Sequence, residues 1–244
     1  MSPYGGAEVA GSGTIRVSPK PERVWALLAV VAGMATILIE IPAALMSEGG
    51  YSFAQQPISH LGMTGCGDWG DAETPIEVCS PAHPFVNGVS IIAGSMLAII
   101  AFIWHDWIAP SRWGRCGSFM LAAGGMLLAG TGMVPADIDP RLHAVFGIGG
   151  SAIQNLGLLS AGIALIRWTE KRWIGPVDFG GLTLGLGVFA LAGTLFLAAP
   201  DSWNLPVGTV ERAASYPFLI WFILAGWMQL RDASRRKREL ASGP

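Results

Sequence analysis

Eight polar side chains stand where they can act together: Glu40, Ser59, His60, Asn87, Asp137, His143, Glu211 and Arg212. Carboxylates beside imidazoles suit proton transfer. A guanidinium fork suits a phosphate or a carboxylate. Neighbours on a helix are about 100° apart, so Glu211 and Arg212 pair poorly with each other. Arg212 therefore needs another anion, which is Glu40, Asp137 or an acidic group on a ligand. A structural salt bridge is the first reading and ligand anchoring the second. Three imidazoles with an acid could hold a hydrolytic zinc. However, no two of His60, His83 and His143 lie one helical turn apart, and no metal is expected. Asp68, Asp71 and Glu73 lack the calcium-loop pattern and read as a solvated acidic loop. Ser59 adjoins His60, but adjacency in sequence does not make a hydrogen-bonded nucleophile pair. Neither a cofactor motif nor an identifiable reaction emerges.

The elements that must position these groups are membrane helices. The 244 residues are 52% apolar and 13% charged, where a soluble domain carries about 25% charge. A spanning helix needs roughly 20 apolar residues. Six such segments are expected, near Val24–Met46, Pro84–Trp104, Arg115–Val134, His143–Ile166, Asp178–Ala199 and Thr209–Leu230. The predicted architecture is an all-α bundle of six transmembrane helices, with a flexible leader over 1–22, a membrane domain over 23–230 and a basic tail over 231–244.

Charge sorts the connections. Of the 15 Lys and Arg, 13 fall in one alternating set of connections, which carries net +6; the other set carries net −8 and holds 10 of the 17 carboxylates. The positive-inside rule makes the basic side cytoplasmic, with both termini on it. All eight candidate residues then belong to the outer half. Cys66 and Cys79 share the long first outer loop, 47–81, and an oxidising exterior permits a disulfide between them. Cys116 reads as a small packing residue. The run Arg235–Arg238 reads as a stop-transfer signal rather than a nucleic-acid site.

Within the first loop, Ser52 as N-cap and Gly62 as stop frame a short helix over Phe53–Leu61, although Pro57 disturbs it if it falls beyond the first turn. Small and polar residues recur at helical spacing: His83, Asn87, Ser90 and Gly94 in span two, and His143, Gly147, Gly150, Gln154, Gly157 and Ala161 in span four. Gly181 and Gly185 do the same in span five. Such stripes allow helices to approach closely in lipid. Pro217 is expected to kink span six.

These residues carry a resemblance. Tyr51-Ser52, Gln56 and Ile58-Ser59-His60-Leu61-Gly62 resemble the opening signature of the family catalogued as domain of unknown function 998. Asn87, Pro135-Ala136-Asp137 followed by His143, and Glu211-Arg212 before an aromatic-rich last span agree with it, over roughly Val24 to Leu230. His60 stands where that family usually has an acid, so a carboxylate role is not carried to that position. The resemblance implies a six-span bacterial or archaeal plasma-membrane protein. Its general architecture is similar to the Frag, DRAM and Sfk group, tied to lipid remodelling, which is a likeness of fold and not of site.

Three functions follow as expectations. The first is binding of a lipid or lipid-linked headgroup at the outer leaflet through the eight residues. The second is a non-enzymatic accessory or scaffold subunit packed against other membrane-protein subunits. The third is a small-solute transporter, weakened by the scarcity of deep polar groups beyond Gln154 and Asn155. Membrane lipids are the expected partners, and nucleic acid is not one.

Overall fold

A computed structural model describes residues 21–69, 75–108, 110–168, 172–199 and 205–242, with side chains described as far as Arg235. The leader up to Lys20, the acidic residues Asp71 and Glu73, Lys171 and the side chains of Arg236–Arg238 lie outside it. Among the described residues, six helices are long and apolar enough to cross a membrane: Glu22–Met46, His83–Ile103, Arg112–Met133, Pro140–Arg167, Phe179–Ala198 and Val207–Arg235. The protein is therefore a multi-pass, all-α membrane bundle. Each expected span is present, with ends displaced by a few residues.

Local chemistry sets the breaks within spans. The first consists of α1 (Pro21–Leu38) and α2 (Glu40–Met46). Pro42 lacks the N–H that would bond back to Leu38, which accounts for the interruption at Ile39. The second is α3 (His83–Ile103), followed by the single turn α4 (His105–Ile108). The third, α5 (Arg112–Met133), starts at Ser111, whose hydroxyl accepts from Gly114 N–H at 3.1 Å. The fourth comprises α6 (Pro140–Ala144), a π-helical turn over Val145–Gly149 and α7 (Gly150–Arg167). Asp139 caps its start by accepting from Leu142 N–H at 3.0 Å. The fifth is α8 (Phe179–Ala198), capped by Asp178, and the sixth is α9 (Val207–Ser242), which continues through Pro217.

The spans pack chiefly as a ring: first on second, second on third and so on, with the sixth returning to the first. Small residues let backbones touch. A Cβ on Gly94 would lie 2.7 Å from the Gly125 carbonyl oxygen, and one on Gly125 would lie 2.8 Å from that of Gly94. Those contacts join α3 to α5, as the span-two stripe predicted. In α8 the expectation was one register out: Gly180 and Gly187 pack against α7, whereas Gly181 and Gly185 meet no neighbouring helix. Cys116 is exposed rather than packed, because it lies beside the buried Gly114 and Gly117 but on the outward face of α5.

The basic end of the ring is filled. Trp104, Phe179, Phe218, Trp221 and Phe222 are each at most 3% exposed. Trp104 stacks on Phe222 at 6.0 Å and Phe179 on Trp221 at 6.1 Å between ring centroids. The Trp221 indole donates to Thr183 Oγ1 at 3.0 Å, so its buried N–H is satisfied.

The other end is covered by the long first loop. Instead of a helix over Phe53–Leu61, a turn leads to Pro57 and a 3₁₀ helix covers Ile58–Gly62. Proline disfavours the helical region for the residue before it, so the helix starts only after Pro57. His60, Leu61 and Gly62 are buried against the bundle. A hairpin of β1 (Gly67–Trp69) and β2 (Ile76–Val78) follows. The Cys66–Cys79 disulfide closes its base, with Cα atoms 4.3 Å apart. A second hairpin, β3 (Trp173–Ile174) with β4 (Val177–Asp178), joins α7 to α8 at the opposite end.

Candidate functional site

Between the 3₁₀ cover and the aromatic plug lies a cavity of about 290 Å³. All six spans contribute to its wall. Apolar lining comes from residues such as Ile39, Val86, Leu128, Phe146, Leu197 and Phe218. Five of the eight candidate residues line it: Glu40, Ser59, Asn87, His143 and Glu211. His60, Asp137 and Arg212 do not: Asp137 and Arg212 are engaged by the protein, and His60 is buried in the cover.

Arg212 is the hub behind the wall. Its Nε and Nη2 donate to Glu40 Oε2 at 3.1 and 2.8 Å. Nη2 also donates to the Tyr51 hydroxyl at 2.8 Å. Nη1 donates to the carbonyls of Phe53, Gly208 and Gln56 at 2.6, 2.9 and 3.3 Å. Every nitrogen of the guanidinium is thus engaged by the protein, and its central carbon Cζ lies 5.0 Å from the Phe53 ring centroid. Of the three partners expected for Arg212, the structure selects Glu40. One side chain therefore ties spans one and six to the first loop. Gly208 makes this seat possible: a Cβ there would fall 2.2 Å from the Gln56 carbonyl oxygen. Burial pushes the Tyr51 hydroxyl well above its usual titration range, against the opposing pull of Arg212.

Glu211 faces the other way from Arg212, as their angular separation requires. Its carboxylate accepts the backbone N–H groups of Ile58 and Ser59 and so caps the 3₁₀ helix. Asn87 pins the far end of that helix, donating from Nδ2 to the Gly62 carbonyl at 2.8 Å. Asp137 is a latch on the loop rather than part of the cavity. Its Oδ2 accepts from Thr64 N–H at 2.9 Å, Thr64 Oγ1 at 2.8 Å and Gly65 N–H at 2.9 Å. Partial burial opposes ionisation of Asp137, but these hydrogen bonds prevail and hold its carboxyl below the ordinary value.

His60 is only 7% exposed, and its Nδ1 has no hydrogen-bond partner among the described residues. Desolvation pulls its pKa down to about 4, so the ring is neutral at neutral pH. His83 sits at the start of α3, with Nδ1 bonded to the Ser80 carbonyl at 2.8 Å. The three imidazoles do not gather, and no metal-ligating cluster occurs among the described residues. His143 Nδ1 lies 2.6 Å from the Val134 carbonyl oxygen. A carbonyl only accepts, so Nδ1 carries the proton. In the neutral ring Nε2 is therefore a bare acceptor on the cavity wall.

Several cavity groups lie outside the eight candidates, although the sequence marks one of them, Gln154, as a deep polar residue. Tyr216 lines the wall and donates to Glu40. Ser151 and Gln154 are each 5% exposed and line the deep side. Among the described residues, no protein hydrogen bond engages the Ser151 hydroxyl, the Gln154 amide or the Ser59 hydroxyl. Polar residues three apart in mid-span were the available signal, but a glycine-rich stripe reads first as packing. The π turn was unreadable from sequence. It brings Phe146, Gly147 and Ile148 to the cavity, and such turns recur at functional sites.

No curated protein and no solved structure gives a significant match to the chain. The profile of the family described as "Protein of unknown function (DUF998)" matches residues 27–228. The match covers most of the chain and reaches all six membrane helices, and this chain belongs to that family.

Proposed function

We propose that the bundle binds the polar end and the adjoining apolar chain of a lipid or lipid-linked molecule. The observation that carries this reading is the composition of the cavity wall. The surface of the wall is mostly apolar, yet Ser59, Ser151, Gln154 and His143 Nε2 offer polar atoms that the protein itself does not use. Ligand sites have this makeup, with an apolar body and a few convergent polar groups. The volume is at the lower end of the ~300–1,000 Å³ range for such sites, which suits a headgroup or part of one chain rather than a whole lipid. With the basic end cytoplasmic, in the plasma membrane of a bacterium, the cavity lies in the outer-leaflet half. Transport of a solute through the bundle draws no support from the fold, because the aromatic plug fills the opposite half.

Gly147 provides the test. A Cβ added there meets one atom, at 4.0 Å, so a larger side chain enters open space instead of the packing. Gly147→Leu should leave the melting temperature within a few degrees of wild type and abolish lipid that co-purifies with the full chain, read by native mass spectrometry. Retention of the same lipid by the filled variant refutes the reading.

A further inference from the structure

The wall of the cavity has a charge imbalance, and it bears on which headgroup enters. Among the described residues, Glu40, Glu211 and His143 are its ionisable lining groups apart from Tyr216, and no Lys or Arg lines it. Arg212, the nearest cation, neutralises Glu40 and has every guanidinium nitrogen committed to protein acceptors. Glu211 accepts hydrogen bonds from the backbone N–H groups of Ile58 and Ser59 and feels the Arg212 charge, which Glu40 already binds directly. Two carboxylates at membrane depth therefore share one cation, an excess of negative charge that is costly in a low-dielectric medium.

The backbone donors at the nearest helix start are also occupied. At the first turn of α9, Thr209 N–H goes to the Ala54 carbonyl and Val210 N–H to that of Pro206, both within 3.1 Å. The N-terminal end of this helix thus offers little to a phosphate, although helix N-termini are ordinary phosphate sites. The other free groups of the wall are neutral: His143 Nε2 accepts, the Gln154 amide offers both an acceptor oxygen and N–H donors, and the hydroxyls of Ser59 and Ser151 can turn either way. The charge of the carboxylates therefore decides which head is favoured.

From these observations we infer that the cavity receives a protonated amine on an amphipathic molecule, with Glu211 as its counter-ion and His143 Nε2 and Gln154 as further acceptors. A phosphate on the same molecule stays outside the wall. The inference rests on the lipid-binding reading above and names the chemical class of the head.

Three probes with one shared chain separate the possibilities: dodecylamine, dodecanol and dodecyl phosphate. Each is titrated against the full chain in uncharged maltoside micelles, with binding read by native mass spectrometry. The amine should bind at least tenfold more tightly than the phosphate, about 1.4 kcal/mol. Glu211→Gln should reduce amine binding to the level at which the same variant binds the alcohol. Gly147→Leu should remove binding of both, which separates occupancy of the cavity from charge on the micelle.

Phosphate binding as tight as the amine overturns the inference and leaves the lipid reading standing. An amine preference that survives Glu211→Gln also overturns it. If none of the three binds wild type, the lipid reading falls and the inference with it. Should Glu211→Gln fail to fold, the wild-type contrast between amine and phosphate, corrected by Gly147→Leu, decides the question.

Discussion

Replacing Arg212 tests whether the hub is a bracket or a simple ion pair. The Arg212 and Glu40 side chains are 12% and 2% exposed, so solvent screens them little. Removing one partner of a buried pair costs about 3–5 kcal/mol, because the other charge is left unpaired. Arg212→Met also strips donors from the carbonyls of Phe53, Gln56 and Gly208 and from Tyr51 Oη. The expected loss is therefore at the upper part of that range, a factor of roughly 10³ in the folding equilibrium. Arg212→Lys keeps the charge but offers three donors from one point. It should recover the Coulomb attraction to Glu40 and lose the planar fork that reaches Tyr51 and the loop carbonyls together, leaving stability midway between wild type and Arg212→Met. The Glu40→Leu/Arg212→Met pair should lose less than the sum of the single changes, by about 1–3 kcal/mol. Equilibrium unfolding in mixed micelles supplies the midpoints and slopes. A loss below about 1 kcal/mol for Arg212→Met, or additive single changes, refutes the bracket.

Two further perturbations address the cover. His60 has a folded pKa of about 4 against an ordinary 6.5, so its neutral form stabilises the fold fully above 6.5. That contribution declines as pH falls from 6.5 towards 4, by about 3 kcal/mol in all, and His60→Gln should remove this slope from the melting-temperature profile. Cys66 and Cys79 are 13 residues apart, and opening a loop of that length costs about 3 kcal/mol in the chain-entropy account. Reduction, or Cys66→Ser with Cys79→Ser, should speed proteolysis within the first loop while the membrane helices keep their far-ultraviolet dichroism; unchanged cleavage rates count against a stabilising role.

The spans were legible because hydrophobic length is a property of each segment alone. The pairing of Arg212 with Glu40 was legible in part, since Glu211 could be excluded on helical angle. What the sequence concealed was saturation. Whether a guanidinium is free for a ligand depends on carbonyls at Phe53, Gln56 and Gly208, and backbone acceptors leave no trace in residue types. The helix expected over Phe53–Leu61 failed at Pro57, where backbone restriction outweighed a plausible cap and stop. Strands of two or three residues carry too little alternation to be seen. The choice between Gly180 and Gly181 in α8 was hidden by uniformity, since a nearly all-apolar helix has no polar face to fix its rotation.

The ring order has a consequence for biosynthesis. Glu40 and Arg212 are separated by 172 residues. At ~5–20 residues per second of translation, Glu40 is made on the order of 10–30 seconds before its partner. During that interval the first five spans can associate pairwise along the ring, but the seat for the first loop does not yet exist, because Gly208, Glu211 and Arg212 all belong to the last helix. A nascent chain stalled before α9 would thus present an unpaired buried acid and an undocked loop, the features by which a membrane quality-control protease can tell an unfinished bundle from a finished one.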